Sequence, residues 1–477
     1  MTKKKFLNYI PFFFLVVFVI LTRFYGLDHP PKVVFDEVHF GLYATKYLSN
    51  SYYFDIHPPL GKMFFGLIAF LTKAEKNPDF NFSPGSDYED FNFLPLRFLT
   101  ALFGSLFVLL IYFLVKELGF SQKAAFLASF LILFDNAFLI QSRLILMDII
   151  LLFFIFLSLF LFVLEKKSEL FSKKWYLFNL LLGLSLGAAI SIKLIGLGAM
   201  LIVWFWNLFQ RNILLKSKKE ILIRLALTFF VPFFLYFLFF AMHFQLASSP
   251  CLSNCGDVLE FSHHTKEQRE EQKMFFNVPP EGNLIAKFWQ TQMFILGGNL
   301  TGQITFYRES DWYSWPFMIR PIKYFSEIEE GRKSSIFFLG NPLVWWLAII
   351  GLLSFLYLLA KNYFYKLKLN IPKAFYSTNC YFLFSSYLLY FLPFASIQRF
   401  TLLYHYLPAL VLSIILFSVF FDEILKTFLS EKKANFLFFG LLVSVFLIFL
   451  FFAPLTYAFP LSETAFELRM WLPTWNF

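Results

Sequence analysis

The stretch from Val34 to Lys62, VFDEVHFGLYATKYLSNSYYFDIHPPLGK, sets the reading of this chain. It follows the first hydrophobic segment and holds two adjacent carboxylates, Asp36 and Glu37, then His39, Asp55, His57 and Lys62. Charged residues make up only 15% of the sequence, so packing alone does not account for this density. Ionisable side chains near an apolar zone are costly and mark functional sites. We read the stretch as an active-site loop on the outer face of a membrane.

The composition fixes the setting. Of 477 residues, 58% are hydrophobic and 22% aromatic, with 74 Phe, more apolar side chain than a soluble core can bury. The expected class is an all-α polytopic membrane protein. Lys and Arg exceed Asp and Glu by 41 − 31 = 10. In such a chain a basic excess sits in cytoplasmic loops and sets topology, so it does not point to nucleic acid. Three cysteines are too few for a disulfide framework. Cys251 and Cys255 lie in a polar loop, where pairing and two free thiols both stay open, and Cys380 reads as packing.

A membrane helix needs about 20 apolar residues, which predicts about eleven spans. They fall near 6–22, 95–115, 124–142, 149–164, 175–190, 192–210, 222–242, 336–360, 376–395, 400–421 and 434–456. The first has a basic end like a signal peptide but no small-residue cleavage site, so we read it as retained. Alternate loops, KELGFSQK (116–123), EKKSELFSKK (165–174), RNILLKSKKE (211–220), KNYFYKLKLNIPK (361–373) and DEILKTFLSEKK (422–433), are Lys-rich, as is the N-terminus. All fall on one side, as the positive-inside rule requires. The N-terminus is then cytoplasmic and the C-terminus outside, in a cell or inner membrane. The outer side carries two long loops, 23–94 and 243–335. GKMFFGLIAFLTK (61–73) is too short to span and reads as an interfacial helix, as do NLIAKFWQTQMFIL (283–296) and WPFMIRPIKYF (315–325). Residues 1–477 form one integral domain in this reading.

Several outer residues suit chemistry. Desolvation and mutual repulsion would push the Asp36 and Glu37 ionisations apart, so that one serves as general base. The alternative is a solvated acidic turn. The prolines of HPPLGK (57–62) fix the chain and place Lys62 in a first helical turn, near a phosphate or simply at a rigid turn. Arg97 opens the second span, Arg143 closes the third with Asp148 five residues on, and Arg399 opens the tenth with His405 further in. A planar guanidinium fork on the outer face suits an anionic lipid head. Snorkelling, or an Arg143–Asp148 pair, is the plainer alternative. Lys193 and His243 are weaker candidates, and His263-His264 reads as solvated. No metal constellation, phosphate-cradling Gly loop or Ser-His-Asp order is apparent.

FDEVHFG (35–41) followed by FDIHPPLGK (54–62) resembles the first outer loop of the dolichyl-phosphate-mannose–protein mannosyltransferases. LPLRFLTALFG (94–104), QSRLILMDIILLFF (141–154), SIKLIGL (191–197), WYSWPFMIRPIKYF (312–325), GNPLVWW (340–346), RFTLLYHYLPAL (399–410), APLTYAFPLSE (453–463) and WLPTW (471–475) continue the resemblance in order. It implies a GT-C fold of typically eleven helices with an outer-face site. It also implies a polyprenyl phosphate mannose donor and protein Ser or Thr hydroxyls as acceptor; beyond that lipid-linked donor the sequence names no certain cofactor. By that resemblance Asp36 and Glu37 match the family's acidic pair, Arg97 its donor-phosphate arginine, Arg143 and Asp148 its RxILxD block, and His405 to Pro408 its HYLP block. The loop 243–335 is too short and apolar for the MIR domain of eukaryotic members, so the chain looks like a bacterial-type member.

The expected reaction is an inverting transfer with Asp36 as base. Glu37 would hold acceptor or sugar, or share the base role. Arg97, Arg399 and Lys62 would flank the phosphate, with Arg143, Asp148, His405 and His57 around donor phosphate and sugar. A transferase of the same fold acting on a lipid or glycan, such as an aminoarabinose–lipid A transferase, is the near alternative. A transporter is the further one, disfavoured because the ionisable residues gather at one face.

Overall fold

A computed structural model describes residues 10–74, 83–209, 217–251, 277–301, 310–365, 377–397 and 400–475. The apolar runs fold as helices: α1 (Ile10–Phe24), α2 (Glu37–Leu48), α3 (Leu60–Leu71), α4 (Leu94–Glu117), α5 (Gln122–Leu133), α6 (Asn136–Gln141), α7 (Asp148–Lys167), α8 (Lys173–Ile192), α9 (Leu197–Phe209) and α10 (Lys218–Leu246). Then come α11 (Leu284–Thr301), a hairpin of β1 (Ile322–Glu329) and β2 (Arg332–Phe338), α12 (Pro342–Tyr365), α13 (Thr378–Phe391), α14 (Leu407–Phe428) and α15 (Glu431–Phe452). Each of the eleven expected segments contains a helix among the described residues. Seven helices among the described residues are long and apolar enough to cross a membrane.

Serines begin the helices at the Lys-rich ends. Ser121, Ser172, Ser217 and Ser377 each accept a backbone N–H of their own helix's first turn, the usual role of an N-cap hydroxyl. These ends lie together in space. Lys167 pairs with Glu117 at 2.7 Å, Lys166 donates to Asn207, and Lys123 donates to Asn435. These contacts bring the Lys-rich ends of α4, α5, α7, α9 and α15 together.

Two departures matter for the site. The expected third span is broken at Asp135, a fully buried carboxylate that caps α6 through Ala137 and Phe138. Its other oxygen accepts from the Asn341 backbone and the Trp345 indole. Asn341 in turn donates to Phe134 and Val445, so one buried carboxylate joins α5, α12 and α15. The second departure lies in the second outer loop. α11 is helical, as expected of NLIAKFWQTQMFIL, but WPFMIRPIKYF (315–325) is not a helix of that kind; it ends a 3-10 turn and enters β1. Glu330 and Gly331 turn the hairpin with φ of 48° and 74°, the left-handed geometry of a two-residue turn. The hairpin carries Tyr324, stacked on Phe35 beside the acidic pair.

Candidate active site

Asp36 sits at the N-cap position of α2 and Glu37 in its first turn. Phe35 before them has φ 49°, a conformation a bulky residue holds only when its surroundings impose it. Tyr324 supplies part of that constraint, its ring 4.1 Å from Phe35 at 5° between planes. The turn sends the two neighbouring carboxylates in different directions.

Glu37 goes inward and is completely buried. It accepts from the backbone N–H of Val34 and Ile145, both at 2.9 Å, and from the Tyr88 hydroxyl at 2.8 Å. Arg97, also fully buried, donates Nε at 2.9 Å and Nη2 at 2.8 Å in a bidentate pair. The rest of its guanidinium donates to the carbonyls of Leu27, Pro30 and Lys32. A guanidinium has five N–H groups, and all five are engaged. The expected contact of Arg97 with a donor phosphate does not fit this arrangement, because no donor remains to offer. Glu37 likewise has no room to serve as base or substrate ligand. Both hold the loop 25–37 against α4 and the start of α7.

Asp36 goes the other way and stays partly exposed. Its side chain forms no capping bond and no hydrogen bond or ion pair with another described residue. Burial raises its pKa above the ordinary carboxylate range; His39 and Lys193 pull it back, while Asp148 and Asp55 push it up. These four residues are therefore near enough for their charges to act on Asp36.

Lys193 stands where α8 ends. Its backbone is extended, φ −147° and ψ 148°, before a one-turn 3-10 helix at Leu194–Gly196. Gly196 allows the break, since a Cβ there would lie 2.4 Å from the Ala189 carbonyl. Lys193 Nζ bonds both oxygens of Asp148, at 2.8 and 2.9 Å, and lies 5.3 Å from the Tyr404 ring. Asp148 therefore pairs with Lys193 and not with Arg143. Asp148, Lys193, Tyr404, His405 and Pro408 line a small pocket. The His405 ring packs against Tyr404 at 4.6 Å and Trp315 at 6.1 Å. Its Nδ1 lies 3.1 Å from the backbone nitrogen and 2.9 Å from the oxygen of Leu402.

Lys62 is buried and donates to Asp55 Oδ2 and to the His57 carbonyl, both at 2.6 Å. It lies over the rings of Tyr43 and Tyr53. Burial lowers the Lys62 pKa, and Asp55 opposes that shift. Pro58 and Pro59 lead directly into α3, which is where the sequence places the helix start. The His57 side chain is partly exposed beside this pair.

Arg143 is elsewhere. It donates to the carbonyls of Thr22, Arg23, Tyr25 and Gly26 and lies 4.4 Å from the Tyr457 ring. It satisfies the orphan carbonyls where α1 ends, a structural duty. Arg399, His263, His264 and Cys255 lie outside the described residues. Sequence reasoning ranked Lys193 low and gave Asp55 no role; the break at SIKLIG in a long apolar run was the signal for Lys193.

The fold and the site define a polytopic helical membrane protein with a partly exposed carboxylate and two buried or half-buried lysine–aspartate pairs. Comparisons with known proteins narrow this. The family described as "Dolichyl-phosphate-mannose-protein mannosyltransferase" matches residues 13–248, and the "C-terminal four TMM region of protein-O-mannosyltransferase" matches residues 284–475. The chain belongs to the dolichyl-phosphate-mannose–protein mannosyltransferase family. Protein O-mannosyl-transferase 2 of Danio rerio is 36% identical over 249 residues, 50% of this chain and 33% of that protein. Dolichyl-phosphate-mannose–protein mannosyltransferase 3 of Saccharomyces cerevisiae is 36% identical over 49% of this chain and 33% of that protein. The match thus spans about a third of these relatives' length. Among solved structures, the S. cerevisiae Pmt1-Pmt2 complex bound to the sugar donor has a TM-score of 0.83 at 19% identity, covering 100% of this chain and 93% of that one. An Archaeoglobus fulgidus oligosaccharyltransferase has a TM-score of 0.56 at 15% identity, covering 98% and 58%. These likenesses show the fold.

Proposed function

We propose that the chain transfers mannose from a polyprenyl phosphate mannose donor to Ser or Thr hydroxyls of proteins, at the outer face of a cell or inner membrane, with inversion. The observation that carries the reading is the divergence of the acidic pair. Glu37 is saturated and buried, while Asp36 is partly exposed, raised in pKa and within the electrostatic reach of Lys193. Family membership supplies the reaction class, and the described Lys-rich ends at the opposite face support an outer site.

In this mechanism the acceptor hydroxyl oxygen attacks the anomeric carbon as Asp36 takes its proton. The bond from that carbon to the phosphate oxygen breaks, and its electron pair leaves with the polyprenyl phosphate. That leaving group already carries negative charge, so fixed cations aid its departure. Lys193, two of whose three ammonium hydrogens are committed to Asp148, takes the phosphate role first expected of Arg97. His405 lines the same pocket as Lys193, and Lys62, paired with Asp55, and Arg399 remain further phosphate candidates. Glu37, Arg97 and Arg143 position this machinery without touching substrate. The whole described chain acts as one integral domain. The decisive experiment incubates membranes carrying the protein with radiolabelled polyprenyl phosphate mannose. Label entering protein in a β-elimination-sensitive linkage is expected; label entering only lipid or glycan would overturn the acceptor assignment.

A further inference from the structure

At the Lys-rich face, away from the site above, α1, α5 and α15 enclose an apolar groove of about 1070 Å³. That is the upper range of pockets that hold small ligands. Its walls are mostly Phe: Phe14 and Phe18 from α1, Phe126 and Phe130 from α5, Phe438 and Phe446 from α15. Many of these rings already contact one another, as Phe14 does Phe126 at 6.0 Å and Phe130 at 6.1 Å, so the groove is a built aromatic channel.

Its mouth is polar and carries charge. Lys123 stands there, exposed, donating to Asn435 Oδ1 at 2.8 Å with its ammonium 5.8 Å from the Phe438 ring. Gln122 and Glu431 complete the rim, and Lys432 and Lys433 lie exposed on the adjoining turn. Two helices, α5 and α15, begin at this mouth. Ser430, at the α15 start, makes no side-chain cap, so first-turn N–H groups and their partial positive charge face the same region. Lys123, Lys432 and Lys433 stand against Glu431, while Asp422 beside the α5 start accepts from Ser121 and is paired with Lys426; with the open α15 start, the balance complements an anionic headgroup. Basic pockets between membrane helices at the cytoplasmic side hold such heads.

We propose that this groove binds an anionic phospholipid of the cytoplasmic leaflet, one acyl chain lying along the Phe wall and the phosphate at Lys123. The leaflet follows from the topology proposed above, whereas the groove and its charge do not depend on the transferase reading.

The test reconstitutes the full chain in vesicles of phosphatidylcholine containing a photoreactive phosphatidylglycerol with a diazirine in its acyl chain. After illumination, labelled peptides are mapped. Label is expected on segments 122–130 and 435–446 above that on the exposed lipid-facing residues Leu353 and Tyr357. Added phosphatidylglycerol should displace it and phosphatidylcholine should not. Lys123→Gln keeps the chain length and should weaken phosphatidylglycerol competition about fivefold, the factor for one lysine–anion contact near 1 kcal/mol. Phe130→Trp should reduce label by narrowing the channel, with mannosyl transfer unchanged in both variants. Label no higher than at Leu353 would overturn the proposal. So would displacement by polyprenyl phosphate but not by phosphatidylglycerol, or protection only when a second copy of the chain cross-links there.

Discussion

Glu37→Gln isolates what the buried pair does. The glutamate accepts five hydrogen bonds, two at Oε1 from Arg97 Nε and Ile145 N–H, and three at Oε2 from Arg97 Nη2, Val34 N–H and Tyr88. In glutamine one oxygen becomes an NH₂ group. Placed at the Oε1 position, it points hydrogen at two N–H groups that have nowhere else to go. The Arg97 charge stays buried, because the carbonyls of Leu27, Pro30 and Lys32 hold the guanidinium in place. Leaving one partner of a buried pair uncompensated costs about 3–5 kcal/mol. The loss should therefore appear in stability. The half-inactivation temperature of detergent-solubilised protein should fall clearly. The fraction still folded at low temperature should retain most of its transfer rate and an unchanged KM for lipid donor. Arg97→Gln should behave alike. The double variant should cost less than the sum, by about 0.5–3 kcal/mol for contacting residues. A Glu37→Gln protein of normal thermal stability and abundance that has lost transfer would refute the reasoning and return Glu37 to the chemistry.

The remaining expectations concern residues around Asp36. Asp36→Asn should leave thermal stability unchanged, since the carboxylate has no described hydrogen-bond partner, and should lower transfer by about 10²–10⁴. Normal turnover by that variant would remove Asp36 from the mechanism. Because burial raises the Asp36 pKa, activity should fade with acidification above the usual carboxylate range, near 3.9 for free Asp. Lys193→Gln removes a cation that lowers that pKa and exposes the Asp148 charge that raises it. The acid limb of the pH–rate profile should then move to higher pH, and donor KM should rise; a limb that moves down would contradict the geometry. Asp148→Asn should shift the limb the opposite way. Arg143→Leu strips the partners from the α1 carbonyls and should lower stability without altering the pH profile, measured on the same preparations.

What the sequence could show differs by the range of the interaction. Spans and faces follow from local composition, and each expected span contains a helix because a run of about 20 apolar residues leaves the backbone no other way to satisfy itself in lipid. The candidate site was proposed from the sequence too, since charge density along one strip of chain is a local property. The partners were not. Asp36 and Glu37 are adjacent and chemically alike, yet the register of one turn at Phe35 sends one into a cage of five hydrogen bonds and leaves the other open. Arg143 and Asp148 look paired at five residues' separation, but Asp148's cation comes from 45 positions away, and Arg143 spends its N–H groups on the end of α1, more than a hundred positions back. Spacing cannot report such contacts. The hairpin is a different kind of omission: Glu330-Gly331 between two short runs of polar and apolar residues is a turn signal that reasoning from membrane pieces passed over. Its consequence is functional, because β1 brings Tyr324 onto Phe35 and so helps fix the turn on which the divergence of the two carboxylates depends. If that is the hairpin's duty, Tyr324→Phe, which keeps the ring, should leave transfer nearly intact, whereas Tyr324→Ala should lower it as Asp36 loses its register; equal loss in both variants would assign the hydroxyl, which accepts from Gln141, the controlling part instead.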